Sequence, residues 1–183
     1  MKIKFYLLLF VITLLSACQS VPSNNKGLKG KLSSKQINIE HRQAKNKSAS
    51  DSYTRLGAGY VANQQYEKAL QKLQKALELD NNNAKTYNYL GVLYWRLEQT
   101  ELAENNFKRA HQLSEYDASI SHNYAAFLCD LNHYSKSLPM FKRVFSNPLY
   151  DKLSIAYYDA GDCFLKQKKI SKCKKTLSES FEA

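Results

Sequence analysis

The sequence predicts an all-α fold, a solenoid of about four helix–turn–helix repeats over residues 49–183. Three observations predict it. The segment SDSYTRLGAGYVANQQYEKALQKLQKALELDN, starting at Ser50, is echoed by AKTYNYLGVLYWRLEQTELAENNFKRAHQLSE, starting at Ala84, at an offset of 34. The same pattern returns twice more, near Ala118 and near Ser154. Within each copy the apolar residues recur at helical spacing, and small residues recur at fixed places between them.

The chain begins with a different kind of element. Lys2 and Lys4 precede an apolar run from Phe5 to Ala17, thirteen residues long. That is short for a membrane span, which needs about 20. A basic start, a short apolar core and small residues before a cut site describe a secretory signal peptide over residues 1–17. Its end, Leu15-Ser16-Ala17-Cys18, resembles the bacterial lipobox. The resemblance implies that Cys18 receives a diacylglycerol on sulfur and, after cleavage, an acyl chain such as palmitate on its new amino group. Several acyl chains, each worth about 0.8 kcal/mol per buried methylene, hold a protein stably on a bilayer. Gln19 rather than Asp follows the cysteine. By the same resemblance this implies the outer membrane, on its periplasmic face.

Residues 18–48 read as a flexible tether. They are rich in Ser, Asn, Lys and Gln, and carry too little apolar surface to offset ordering. About thirty such residues reach roughly 30 Å. A short helix over Ser34–Lys45 is compatible with this reading. The formal charge of +11 is concentrated here: from Gln19 to Ser48 seven Lys and Arg face one acid, Glu40. The excess is either a solvated tail or a contact with anionic lipid headgroups or peptidoglycan beside the anchor. Nucleic acid is not an expected partner in that compartment, and no nucleic-acid motif is present.

The repeats then follow in order, over about 50–83, 84–117, 118–151 and 154–183. Tyr53, Leu56, Gly57, Tyr60, Ala69, Leu73 and Ala76 of the first match Tyr87, Leu90, Gly91, Tyr94, Ala103, Phe107 and Ala110 of the second. In the third, Tyr124, Ala125, Leu128, Tyr134, Ser137, Phe141 and Val144 hold the register. In the fourth, at an offset of 36, Ala160, Gly161, Phe164, Ile170, Cys173, Leu177 and Ser180 do so. This resembles the tetratricopeptide repeat, two antiparallel helices in that length. Gly57, Gly91, Ala125 and Gly161 fall in first helices, facing Ala69, Ala103, Ser137 and Cys173 from second helices. Small residues on both sides let the pair approach closely, which justifies a mid-helix glycine that costs roughly 1 kcal/mol against alanine. The tyrosine, leucine and phenylalanine stripes are core. The two extra residues between the third and fourth copies fall in SNPLYDKL, where Asn147-Pro148 should end a helix and lengthen the turn. A terminal repeat normally turns a polar face outward. Lysines 166, 168, 169, 172, 174 and 175 supply part of one, while Phe164, Leu177 and Phe181 are expected to be partly exposed.

Repeats three and four carry a narrower resemblance. HNYAAFLCDLNHYSKSLPMFKRVFSNPLYDKLSIAYYDAGDCFLKQ is similar to the corresponding part of the PilF/PilW lipoproteins of type IV pilus assembly. The matches are Asn123, Tyr124, Phe127, Leu128, Cys129, Tyr134, Phe141, Pro148, Tyr150, Tyr157, Ala160, Gly161 and Cys163. Ala125 stands for the usual Gly and Asp159 for the usual Asn. Members of that family generally run on for further repeats. The resemblance implies a pilotin-like scaffold that helps the pilus secretin reach or assemble in the outer membrane, stabilises pili and contacts other pilus assembly proteins. An alternative of the same architecture is an outer-membrane lipoprotein adaptor that recruits peptidoglycan-processing enzymes. The resemblance also implies a disulfide between Cys129 and Cys163, clamping repeat three to repeat four, with two buried thiols as the alternative. Cys173 sits at a small-residue packing position and is expected to be a core thiol.

The expected binding surface is the concave groove made by the first helices. By repeat position its candidates are Thr54, Asn88, Trp95, Arg96, His122, Asp130, Tyr158 and Lys166. Trp and Arg are favoured at interface hot spots; Trp95 packing between repeats is the competing reading. Catalysis has little support, and no cofactor is expected. Among His41, His111, His122 and His133 no pair has metal spacing with a third ligand nearby. Asp130 and His133 belong to a repeat turn, and neither a Gly-rich phosphate loop nor a serine nucleophile motif occurs.

Overall fold

The computed structural model describes residues 34–181, with side chains as far as residue 171. Seven helices appear among the described residues: α1 (Ser34–Ala62), α2 (Tyr66–Leu79), α3 (Ala84–Arg96), α4 (Thr100–Leu113), α5 (Ala118–Asp130), α6 (Tyr134–Phe145) and α7 (Leu153–Phe181). The chain divides into two units, 1–40 and 41–183. Of the first unit only the opening of α1 is described. The second is an all-α tetratricopeptide-repeat solenoid.

Three turns inside the repeats are built alike. Gln64, Glu98 and Asn132 take φ near 60°. The following amide reaches back to the helix it has left: Gln65 N–H to Tyr60 O at 2.9 Å, Gln99 to Tyr94 at 2.9 Å and His133 to Leu128 at 2.8 Å. The left-handed residues bond in turn to Val61, Trp95 and Cys129. This is the Schellman closure of a helix C-terminus. Between repeats the next first helix is capped by side chains. Asn83 accepts from Thr86 N–H, and Asp117 accepts from Ser119 and Ile120 N–H. Such caps are worth about 1 kcal/mol each.

The core follows the repeat pattern. Val61, Ala69, Leu73, Leu90 and Leu93 form one cluster, joining the first pair to α3. Ala103, Phe107, Tyr124, Phe127 and Leu128 form the next, joining α4 to α5. Ala125, Cys129, Tyr134, Phe141 and Cys163 carry it to α7. Gly57 and Gly91 are held small by contact, while Gly59 of the same helix as Gly57 has open space around it. A Cβ on Gly57 would lie 2.6 Å from Leu73, and one on Gly91 would lie 2.8 Å from Phe107.

Two expectations are corrected. Residues 34–48 are not part of a flexible tether, because α1 already runs through them. No Gly or Pro interrupts the sequence between Ser34 and Leu56, and Lys, Gln, Ala, Arg and Glu favour helix. The rest of the expected tether lies outside the described residues. Second, 154–183 is not a helix–turn–helix pair: α7 continues unbroken from Leu153 to Phe181. The residue equivalent to Asn132 is Lys168, in a run of helix-forming residues without Gly, Pro or Asn. What breaks the earlier repeats is the packing of a second helix on the glycine position. At Gly161 a Cβ would meet nothing within 4 Å, so nothing offsets the cost of a turn. The side chains of Cys173, Leu177 and Phe181 lie outside the described set. The connection from Ser146 to Lys152 is longer than the four-residue links at 80–83 and 114–117, as the extra residues around Pro148 require.

Candidate functional site

The first helices α3, α5 and α7 line up side by side, and their equivalent positions form the walls of a cleft of about 450 Å³. Val92, Trp95 and Arg96 come from α3; His122, Asn123, Ala126, Cys129 and Asp130 from α5; Lys152, Ile155, Asp159, Asp162 and Lys166 from α7 and the residue before it. A wider cleft of about 1160 Å³ lies between α1, the end of α2, the 80–83 turn, α3 and the residues before α5.

Polar side chains tie each first helix to the next. Thr54 and Thr86 hydroxyls lie 2.6 Å apart, and Asn83 donates to Ser50 and Asp51. Asn123 donates to Asn88 at 3.2 Å. The Trp95 indole N–H donates to Asp130 at 3.0 Å. His122 holds two partners, Tyr150 OH at 3.0 Å and Asp159 at 2.8 Å. The donor and acceptor roles of the two ring nitrogens follow from the tautomer; with Nε2–H donating to Asp159, an unprotonated Nδ1 accepts the Tyr150 O–H. Burial pushes the Tyr150 phenol up to about 12, so that hydroxyl keeps its proton throughout the neutral range.

The sequence-predicted groove residues therefore divide. Trp95, Arg96, His122, Asp130 and Lys166 come together in the cleft. Thr54, Asn88 and His122 are buried and join helices rather than present themselves to a partner. His122 also lines the cleft, beside the Asp159 it holds in place. Tyr158 is 77% exposed but lies outside the cleft lining. Trp95 serves both readings: it packs edge-on against Phe107 and Phe127, and it also lines the cleft. Asn123, Lys152, Ile155 and Asp159 were not foreseen. Asn123 and Asp159 each follow a named groove residue by one position, which is a usable signal. Lys152 falls in the irregular connection, where the repeat register says nothing.

Cys129 of α5 and Cys163 of α7 face each other, with Cα atoms 5.7 Å apart and both residues buried, a separation that a disulfide can span. The Ser137 hydroxyl lies beside Cys163 sulfur at 3.6 Å. Cys18 lies outside the described residues. Among the described residues no helix is long and apolar enough to cross a membrane, and no group of three or more His, Cys, Asp or Glu is arranged to hold a metal ion.

Comparison with known proteins agrees with this architecture. The models for the TPR repeat and the tetratricopeptide repeat match residues 57–98 and 84–117. The chain is 27% identical over 132 residues to the type IV pilus assembly protein PilF of Pseudomonas aeruginosa, covering 72% of this chain and 52% of PilF. The solved structure of P. aeruginosa PilF superposes with a TM-score of 0.65 at 26% identity, over 75% of this chain and 62% of that one. The structure of PilW, described as a widely conserved type IV pilus biogenesis factor, gives 0.62 at 28% identity, over 73% and 61%. The chain thus spans about half the length of the curated relative, and it is similar to PilF and PilW in both sequence and fold.

Proposed function

We propose that the protein is an outer-membrane lipoprotein scaffold for type IV pilus biogenesis. It binds the pilus secretin through the concave face of its repeats and aids the secretin's localisation and assembly. The role is one of binding, without chemistry. The observation that carries the reading is the joint similarity to PilF and PilW over about three quarters of the chain. The cleft between α3, α5 and α7 supplies a surface for such binding, with Trp95 and Arg96 on its wall. LLSACQS supports attachment through Cys18. An oxidising periplasm is a compartment in which Cys129 and Cys163 would remain bridged.

The test is a deletion strain complemented with wild type or Cys18→Ala. Secretin multimers, twitching and recovery of secretin with the tagged protein are measured. Loss of multimers in the deletion, their return with wild type and weak return with Cys18→Ala are expected. Normal multimers and twitching without the protein would overturn the reading. Recovery of peptidoglycan amidases or endopeptidases in place of secretin would favour the adaptor alternative.

A further inference from the structure

The 80–83 and 114–117 turns and the Ser146–Lys152 connection lead into α3, α5 and α7 along one edge of the repeats. Cleft lining runs from Asn46 and Lys47 of α1, past the 80–83 turn, to Asp117, and from Tyr116 on to Asn147 and Leu149. This edge carries the two most exposed large apolar side chains among the described residues, Leu149 at 92% and Tyr116 at 87%. Neither tip is loose. The Leu149 N–H donates to the Asn147 side-chain oxygen at 3.2 Å, and the next residue, Tyr150, is tied to His122. Pro148 fixes the backbone just before. Arg143 pairs with the Glu115 carboxylate, donates to the Glu115 carbonyl at 3.3 Å and lies 6.0 Å from the Tyr116 ring. One exposed Leu or Tyr needs no explanation. Two of them, held out on neighbouring turns beside one small cleft, call for one. In the turns of the opposite edge, within the repeats, Leu97 at 38% is the one exposed large apolar side chain among the described residues.

The chain itself points to what this edge meets. The second unit begins at His41, and Gln43 of α1 already lines the cleft along this edge. A chain anchored at Cys18 therefore enters the repeats here. Anchoring holds the edge at high effective concentration beside the bilayer, so a contact too weak to recruit a free protein is populated. Tyrosine rings settle at the headgroup level of a bilayer, and leucine buries at the acyl boundary. Lys85, Arg143 and Lys152 are matched along the edge by Glu115, Asp117 and Asp151. Charge therefore does not select anionic lipid, and apolar burial carries the contact. We propose that the Tyr116–Leu149 edge rests on the lipid bilayer, with both side chains inserted in its interface. This rests on the reading of attachment through Cys18 and adds the face of the repeats that meets the lipid.

The experiment uses the full lipidated chain in phosphatidylcholine vesicles, with and without phosphatidylglycerol, and with part of the lipid brominated in its acyl chains. Trp95→Phe removes the natural indole, and Tyr116→Trp, Leu149→Trp or Gln99→Trp supplies a new one, the last on the opposite edge. Tyr116→Trp and Leu149→Trp should lose about half of their emission or more and shift to the blue in both lipid mixtures, while Gln99→Trp is unaffected. Far-UV circular dichroism checks the fold; a variant that fails it is repeated with Trp95 kept and its emission subtracted. No quenching at either tip, or equal quenching at Gln99, would overturn the proposal. Quenching only with phosphatidylglycerol would overturn it too, because charge rather than apolar insertion would then carry the contact. Attachment is scored separately, by the mass of the Cys18 peptide and by flotation with the vesicles. Unquenched tips on a chain with lipidated Cys18 count against the edge alone. If Cys18 carries no lipid, the anchor reading fails, and quenching is read again with the chain held to nickel-chelating lipid by an N-terminal histidine tag. Quenched tips there support the edge without the natural anchor; unquenched tips there overturn both.

Discussion

At the scale of single residues, the same amino acid has different consequences at equivalent repeat positions. Gly91 lies under Phe107, and an added Cβ would come within 2.8 Å of the ring. Phe107 is fully buried and stacks among Tyr124, Phe127 and Trp95, so it has little room to retreat. Gly91→Ala should destabilise by about 1–3 kcal/mol, the usual cost of overpacking. Gly161→Ala has open space and should stabilise by up to about 1 kcal/mol through helix propensity. Urea unfolding of the two variants measures the contrast; equal effects of the same sign would contradict it. His111 gives a second residue-scale expectation. Burial holds its imidazole below the ordinary value, with the Arg143 charge as a lesser cause. Its Nδ1 is buried without a partner. The folded state therefore binds fewer protons than the unfolded one as pH falls below the ordinary imidazole value near 6.5. The stability held by the neutral ring is complete above that pH and is lost as pH falls toward the lower folded value. His111→Gln should flatten the decline in urea midpoint between about pH 7 and 5. An unchanged slope would show that another group causes it.

At the scale of helices and turns, the repeats were legible because each pair repeats a physical solution. A small residue in the first helix, a large one over it from the second and a helix-length stripe between them recur in the sequence as visibly as in the fold. The turns were less legible. Gln64 and Glu98 hold left-handed backbone where a glycine would be the natural marker; neither residue announces a turn. The break is imposed by packing, which is why the same pattern extended to 154–183 predicted a second helix that the structure does not make. Tertiary packing overrides local propensity in the first three pairs, and local propensity prevails in the last. Relieving the backbone cost should be measurable. Glu98→Gly at φ 59° removes left-handed strain of roughly 1–2 kcal/mol. Part of that gain is offset by the larger unfolded-state entropy of glycine. A net stabilisation of about 0.5–1 kcal/mol is expected. Asn132→Gly should gain less, because asparagine tolerates this conformation. A loss of stability in Glu98→Gly would mean that the Glu side chain makes a contribution larger than the strain.

At the scale of the whole solenoid, stability is a sum over neighbours, because each repeat touches only the next. The cleft inherits this. Its α3 and α5 walls are fixed by Phe107, Phe127 and the Trp95–Asp130 bond. Among the described residues no second helix packs over Gly161 of its α7 wall, which exposes Tyr157, Phe164 and Leu165. The sequence could place Trp95, Arg96 and Asp130 in the groove because repeat register alone aims them there. It could not tell that Asn88 and His122 would be used between helices, since that depends on which neighbour supplies Asn123, Asp159 or Tyr150. What holds α7 and the connection before it against α5 and α6 is then a short set of contacts: His122 of α5 bonded to Asp159 of α7 and to Tyr150 of the connection, Phe145 of α6 stacked on Tyr157 of α7 at 4.2 Å, and the apposed Cys129 and Cys163. A bridge between these two cysteines, 34 residues apart, would close a loop of a length for which a disulfide contributes about 3–4 kcal/mol. Replacing both cysteines by serine should lower the urea midpoint, but the loss should be local. Hydrogen exchange should accelerate over 153–171 and over the Ser146–Lys152 connection, while α3 and α4 keep their protection. His122→Phe should produce a milder version of the same pattern, because it removes the two polar bonds and keeps the bridge. If exchange instead rises evenly from α1 to α7 in the cysteine variant, the solenoid unfolds as one cooperative unit, and the nearest-neighbour account of its cleft is wrong.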